Sequence, residues 1–425
     1  MSIIIVMTFL SVILCADTNE LPIGFTEGEL KNKNLIYDMG TRTDPPIGPV
    51  RNIAEYEPMQ GVLIRYPFGI STSLIASMSE DVIIYCLVSN NSQNSAYNSM
   101  NNGGVNMNNV EFILGSTDSY WTRDYGPWWV VDGNGDVGVV DFTYNRPRPN
   151  DNQAPSKVAN HLNVPYYSAD FVSTGGNYMT DGFGIAASTH IAYTEQDECN
   201  TSNEYSVPLP GCPYVDDILE EYYGINTYHV VADPNNEYID HIDCWGKFLS
   251  PTKILIREVP TSHSQYDEIE EVADYFSSVL TSEGTPWEVF RVNTPNDQPY
   301  TNSLILNNKV YVPIMNSSWD GPALEAYEAA MPDYIIEPFT GSWQPTDALH
   351  CRVKGIPDLT PMPQFDLGDV NMDNQINVLD IVNVVNYVLG LVDFTTSQSQ
   401  LSDMNEDGTV NILDIISIVN IITGS

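Results

Sequence analysis

The chain has 425 residues, 42% of them apolar, which suffices for one large domain plus a small one, or for two to three ordinary ones, and excludes global disorder. Sixteen Lys and Arg against 56 Asp and Glu give a formal charge of −40. That balance argues against nucleic acid and anionic membrane surfaces as partners, because both are polyanions, and it suits cationic substrates and divalent metals.

Ile3 to Leu14 is a mostly apolar run too short to span a bilayer as a helix, and it reads as the core of a secretory signal cut near Cys15-Ala16. Residues 1–16 are therefore expected to be a signal peptide and 17–51 an N-terminal extension of an exported, soluble protein. Five Cys remain after such a cut. Cys86 sits in the apolar run 82–88 and reads as a small buried hydrophobe. Cys199 and Cys212 flank a polar, Pro-containing stretch; a staple there is open, since sequence does not settle pairing.

From residue 58 to 357 the chain alternates β-rich and helical runs. Strands are expected over 61–67, 81–88, 110–114, 128–131, 137–142, 227–231, 253–258 and 304–313, and helices over 264–281 and 323–331. Asp132-Gly-Asn-Gly-Asp136 has the spelling of half a calcium loop, but Thr143 stands where the closing carboxylate belongs, so a hairpin turn is expected. A Pro-containing linker follows over 358–367, and no Lys or Arg occurs after Lys354.

The tail repeats itself with a period of 34. Asp369, Asn371, Asp373, Gln375 and Asp380 recur as Asp403, Asn405, Asp407, Thr409 and Asp414. The spacing 1, 3, 5, 7, 12 is that of an EF-hand-type Ca²⁺ loop, with side-chain oxygens at 1, 3, 5 and 12 and a backbone carbonyl at 7. Gly408 holds the sixth position of the second loop, where the chain must turn sharply; Asn374 holds it in the first and tolerates left-handed geometry. Helices are expected over 381–389 and 415–422. Residues 368–425 thus resemble a dockerin domain, which implies a small all-α fold, Ca²⁺ in both loops and a cohesin-type partner. Val378-Leu379 and Ile412-Leu413 occupy positions where cellulosomal dockerins carry small polar residues.

Three segments of the large domain carry chemistry. Cys351, in Thr346-Asp-Ala-Leu-His-Cys-Arg352, has the setting of a nucleophile. If Tyr238-Ile-Asp-His-Ile-Asp-Cys-Trp-Gly246 is extended, His241 and Asp243 share one face, and Cys244 lies on the other as a structural residue. The same alternation turns His350 away from its neighbour Cys351. In Tyr120-Trp-Thr-Arg-Asp-Tyr-Gly-Pro-Trp-Trp129, Asp124 lies among aromatic residues, as a pocket for a planar cation requires.

In this order, W-T-R-D-Y-G-P, H-I-D-C-W-G and A-L-H-C-R resemble the bacterial peptidylarginine deiminase family of guanidino-group-modifying enzymes, relatives of agmatine deiminase. The resemblance covers residues 52–357. It implies the pentein α/β propeller, five ββαβ modules around a funnel. It also implies Cys351 as nucleophile, His241 as general acid and base, Asp124 and Asp243 as guanidinium-binding carboxylates, and Asn302 in support. The reaction implied is hydrolysis of arginine to citrulline and ammonia without a catalytic cofactor. In Val140-Asp-Phe-Thr-Tyr-Asn-Arg-Pro-Arg-Pro-Asn150, Arg146 and Arg148 match residues that grip the carboxylate of a C-terminal arginine; Trp121 and Tyr238 complete the expected substrate contacts. The family's bacterial enzyme carries an immunoglobulin-like domain where this chain has its dockerin-like tail, and residues 195–214 read as an added loop. Two alternatives stay open: an agmatine deiminase acting on a small guanidino compound, and an inert domain serving a binding tail.

Overall fold

The computed structural model describes residues 20–199, 205–236, 238–361, 365–394, 396–405 and 407–424. The expected signal peptide lies outside them. Five separate sheets organise the large domain. Three have the same three-stranded plan: an antiparallel hairpin followed through a helix by a parallel strand. They are Met179–Thr180, Ile185–Thr189 and Thr227–Val231; Gly246–Ser250, Lys253–Glu258 and Glu288–Asn293; and Leu304–Leu306, Lys309–Ile314 and Ile335–Thr340. The helices that make the parallel crossings are Pro213–Tyr223, Tyr266–Ser278 and Asp320–Ala330. A parallel pair needs such a crossing, because a tight turn can only reverse the chain.

Two sheets add a fourth strand. In one, Trp128–Val131 and Val137–Tyr144 form the hairpin, Ala154–Leu162 crosses to Tyr166–Ser173, and Arg51–Asn52 joins the edge. In the other, Met59–Arg65, Ile83–Val88 and Val110–Leu114 run parallel, and the antiparallel partner is Lys354–Pro357 from the far end of the domain. That pairing carries Cys351, three residues upstream of the strand, back to the first sheet. The central strand Ile83–Val88 is buried over nearly its whole length, as a strand covered on both faces must be, and Cys86 is fully buried within it.

The expected single strand over 304–313 is instead a hairpin, broken at Asn307, whose φ of 54° makes the turn. The Asp132 motif is a turn, as its spacing predicts: Asp132 Oδ1 accepts from the amides of Asn134 and Asp136. Cys199 and Cys212 form a disulfide, and Cys86, Cys244 and Cys351 are buried thiols.

In the tail, helices Val378–Val388 and Ile412–Thr423 pack through Val370, Val384, Ile415 and Ile418. Both start three residues earlier than expected. The reason is a capping box that periodicity does not register: Asn377 and Asn411 cap the helices, and Asp380 and Asp414 reach back to the cap amides. No helix among the described residues is long and apolar enough to cross a membrane.

Candidate active site

The site forms where three short, tightly wound segments meet. Thr122–Tyr125 is one helical turn, and Ile242–Cys244 and His350–Arg352 are 3₁₀ turns. The extended backbone expected for 238–246 is therefore absent, and strand alternation does not decide which side chains meet. A 3₁₀ turn repeats every three residues, so Asp243 and its neighbours fan around one axis.

Cys351 Sγ lies 3.8 Å from Asp243 Oδ2. Asn302 Nδ2 donates to the same sulfur at 3.2 Å, while Asn302 Oδ1 accepts the backbone N–H of His350 at 2.9 Å and of Cys351 at 3.4 Å. Asn302 thus fixes the turn that presents the thiol. His241 Nδ1 stands 3.7 Å from Asp124 Oδ1. Gly176, in the Gly175–Asn177 turn, lies against both: a Cβ there would come within 2.5 Å of His241 Nδ1 and 2.6 Å of Asp124 Oδ1. Only glycine fits between that turn and the two side chains.

All five expected catalytic residues are buried, Cys351 completely. Among the described residues no donor within hydrogen-bond distance meets either oxygen of Asp124, and neither ring nitrogen of His241 has a hydrogen-bond partner. Burial pushes the Asp124 carboxyl well above its usual range, and Asp243 adds to the effect. Burial likewise raises the Cys351 thiol, with Asp243, Asp124 and Asp347 adding repulsion. Burial depresses His241 to about 4, against the attraction of Asp243. Burial thus disfavours the charged form of each of these three groups.

His350, expected to face away, is placed directly behind Asp243. Its Nδ1 lies 2.6 Å from Asp243 Oδ2 and its Nε2 2.6 Å from Glu55 Oε2. Glu55 also receives Lys247 at 2.7 Å and Arg123 at 2.8 Å. Burial works to raise Glu55, but His350, Lys247 and Arg123 outweigh it and hold the carboxyl well below its ordinary range. Burial lowers His350, as does Arg123, yet each of its two short contacts needs a proton between nitrogen and oxygen. The imidazole thus bridges the Glu55 and Asp243 carboxylates, one ring nitrogen to each. Glu55 lay in an unremarkable run, Ala54-Glu-Tyr-Glu57, and only its long-range contacts reveal it.

The expected substrate contacts differ from an open subsite. Arg148 Nε donates to Glu29 Oε1 at 2.7 Å, and its Nη2 donates to the carbonyls of Pro22 and Gly24. Arg146 Nε donates to the Ile23 carbonyl at 3.1 Å, and its guanidinium lies 4.3 Å from the centre of the Phe25 ring. Trp121 Nε1 donates to the Leu21 carbonyl. Tyr238 is 68% exposed, with its ring against Gly24. All four residues meet the N-terminal segment. Sequence reading missed this because nothing in residues 20–30 marks where they dock.

A family model for the Porphyromonas-type peptidyl-arginine deiminase matches residues 53–357. The chain belongs to that family. A second model, the dockerin type I domain, matches residues 367–423. A putative agmatine deiminase of Mycoplasma capricolum is 26% identical over 270 residues, 54% of this chain and 71% of the relative. One from Listeria monocytogenes is 23% identical over 298 residues, 59% of this chain and 77% of the relative. Among solved structures, the agmatine deiminase of Enterococcus faecalis superposes with a TM-score of 0.62 at 18% identity, over 75% of this chain and all of that one. A putative arginine deiminase of Porphyromonas gingivalis gives 0.61 at 17% identity, over 72% and 98%. The fold is therefore that of the family's guanidino-modifying hydrolases.

The Ca²⁺-loop residues are also brought together. Asn374 and Gly408 take φ of 63° and 79° at the sixth positions. Asp369 Oδ1 and Oδ2 accept the amides of Asp373 and Asn374, and Asp403 repeats this with Asp407 and Gly408. Burial raises Asp369 to about 6, with Asp380 and Asp373 adding repulsion. A hard cation taking oxygen ligands would relieve that crowding, and the donor set of Asp, Asn, Gln and Thr positions suits it.

Proposed function

We propose that this chain is an exported hydrolase that converts arginine in peptides, by preference a C-terminal arginine, to citrulline and ammonia. The observation that carries this is the pair of orphaned Asp124 oxygens, buried beside Asp243, His241 and Cys351. A guanidinium is planar, cationic and rich in N–H donors, and it satisfies both carboxylates while its carbon faces the thiol. We read the five sheets as the blades of a pentein propeller, with these residues in its central funnel.

Cys351 is the nucleophile. The incoming cation favours ionisation of both the thiol and Asp124, opposing the burial that keeps them neutral. The thiol passes its proton to His241 as the sulfur adds to the guanidinium carbon; His241 hands that proton to the leaving nitrogen, the carbon–nitrogen bond breaks, and ammonia departs. His241 then takes a proton from water, which attacks the thiouronium carbon. The carbon–sulfur bond breaks, and citrulline and the thiol result. No electrons change hands.

Ligand binding should release protons, chiefly from Asp124, whose carboxyl is raised in the free site. Calorimetry of an N-blocked arginine binding to Cys351→Ala, in two buffers of different ionisation enthalpy near neutral pH, should report a net release; proton uptake would contradict the assignment of Asp124.

Substrate class is tested by kcat/KM for one peptide with its terminal arginine free or amidated, beside free arginine and agmatine. Arg146 and Arg148 support a carboxylate-bearing substrate, since agmatine has none. The free carboxylate should be preferred roughly ten- to a hundredfold, the worth of a charged hydrogen-bonded contact of ~1.5–3 kcal/mol. The putative agmatine deiminases among the relatives support the competing reading, which wins if agmatine turns over fastest.

In the tail, we assign Ca²⁺ to the loops at Asp369, Asn371, Asp373, Gln375 and Asp380, and at Asp403, Asn405, Asp407, Thr409 and Asp414. A cohesin-type protein is its partner class, in keeping with export. Metal would offset carboxylate repulsion and so stabilise the tail. Calorimetry of the full chain should show about two equivalents bound, with a calcium-dependent rise in melting temperature. EGTA should leave turnover unchanged; loss of turnover with EGTA would place metal in the catalytic step.

A further inference from the structure

The catalytic groups are sealed: Cys351 and His241 are 0% and 1% exposed, although a peptide must reach them. The N-terminal segment 20–30 lies on Arg146, Arg148 and Trp121, the residues expected to receive that peptide. It is pinned by three Arg of the large domain. Glu20 pairs with Arg65 at 2.7 Å, the Ile23 carbonyl accepts from Arg146, and Glu29 pairs with Arg148. Glu29 engages Arg148 through both carboxylate oxygens, Oε1 at 2.7 Å from Nε and Oε2 at 3.3 Å from Nη2. That is how a fork-shaped guanidinium holds any carboxylate, including a peptide's terminal one.

The anchoring is shallow. Of residues 20–30 only Ile23 and Gly24 are buried, and 31–35 are all exposed. Lifting the segment therefore withdraws one core side chain, Ile23, and breaks no sheet pairing.

We propose that residues 20–30 are an intramolecular inhibitor, with the Glu29 carboxylate on Arg148 standing in for the substrate's carboxylate and Phe25 and Ile23 covering Arg146. This rests on the carboxylate-binding reading of Arg146 and Arg148 above. The segment and an arginine-terminated peptide compete for the same guanidinium groups, so turnover requires the segment to leave. The alternative is a permanent wall that completes the pocket, in which case weakening it lowers activity.

The test uses the full chain carrying Glu29→Gln and Phe25→Ala. Cys351 alkylation by iodoacetamide, mapped by mass spectrometry, needs no substrate. It should quicken at least tenfold in the variant, and kcat/KM on an arginine-terminated peptide should rise similarly. An alkylation rate equal to or below that of the parent in a folded variant overturns the proposal. Faster alkylation with no turnover on any arginine peptide sinks the activity reading instead and leaves the cover standing. Should the variant not fold, hydrogen exchange on full-length Cys351→Ala decides. Saturating benzoyl-arginine should speed exchange of amides 21–30 if they are displaced; unchanged or slower exchange overturns the proposal.

Discussion

Cys351→Ala is expected to abolish ammonia release, with kcat falling at least ~10⁴-fold, because in the proposed mechanism its sulfur forms the covalent adduct. Cys244→Ala is the control. Cys244 is also buried and its sulfur lies 3.7 Å from Asp243 Oδ1, so proximity to the carboxylate does not separate the two thiols. Their surroundings do. Cys351 has the Asn302 donor at 3.2 Å and belongs to the turn that Asn302 fixes through two amides. Cys244→Ala removes one buried atom from a packed wall, which should cost about 1 kcal/mol of stability and leave kcat within about threefold. Both variants are read by ammonia release and thermal melting. A dead Cys244→Ala of unchanged stability would move the nucleophile or add a second essential thiol.

His350→Gln should lower kcat roughly 10- to 100-fold while leaving the fold largely intact. His350 is assigned no contact with a reacting atom; it positions Asp243 by bridging it to Glu55. Removing one member of a buried charged unit leaves the others uncompensated, an effect of ~3–5 kcal/mol when no relaxation or water repairs it. Gln retains a donor for one carboxylate only. The decisive readout is the pH profile. Asp243 is held below its ordinary range against burial, by its hydrogen bond to His350 and by the charges of His350, His241 and Arg123. Without His350, Asp243 should titrate at higher pH, so the acid limb of kcat/KM should move upward. Glu55→Gln should produce the same shift in weaker form, because it loosens His350 but leaves it in place. Turnover and a pH profile unaltered in His350→Gln would reduce the bridge to ordinary core packing.

The motifs that carry chemistry were legible because they are local. W-T-R-D-Y-G-P, H-I-D-C-W-G and A-L-H-C-R each place several functional side chains on one short turn, and the same turns meet around Cys351 in the structure. The 34-residue repeat was equally plain, since a Ca²⁺ loop is one contiguous segment whose ligands are set by spacing. Buried strands such as Ile83–Val88 stand out as apolar runs. Others were missed: Glu288–Asn293 and Ile335–Thr340 show little burial pattern to betray them, and Ile185–Thr189 and Gly246–Ser250, though buried, carry few β-branched apolar residues. Which faces meet was beyond sequence, because it depends on backbone winding that alternation rules do not describe. Taking the chain at His350 and Cys351 as extended sent His350 away from the site, whereas the 3₁₀ turns His350–Arg352 and Ile242–Cys244 bring it to Asp243 from 107 residues away. Glu55 reaches His350 across 295 residues and Glu29 reaches Arg148 across 119. By itself the sequence determined the three motifs, the family they resemble and the repeat in the tail. The tertiary structure decided what braces Asp243 and what covers the two Arg, because a buried charge takes whichever partner the fold delivers, and no local pattern records that delivery.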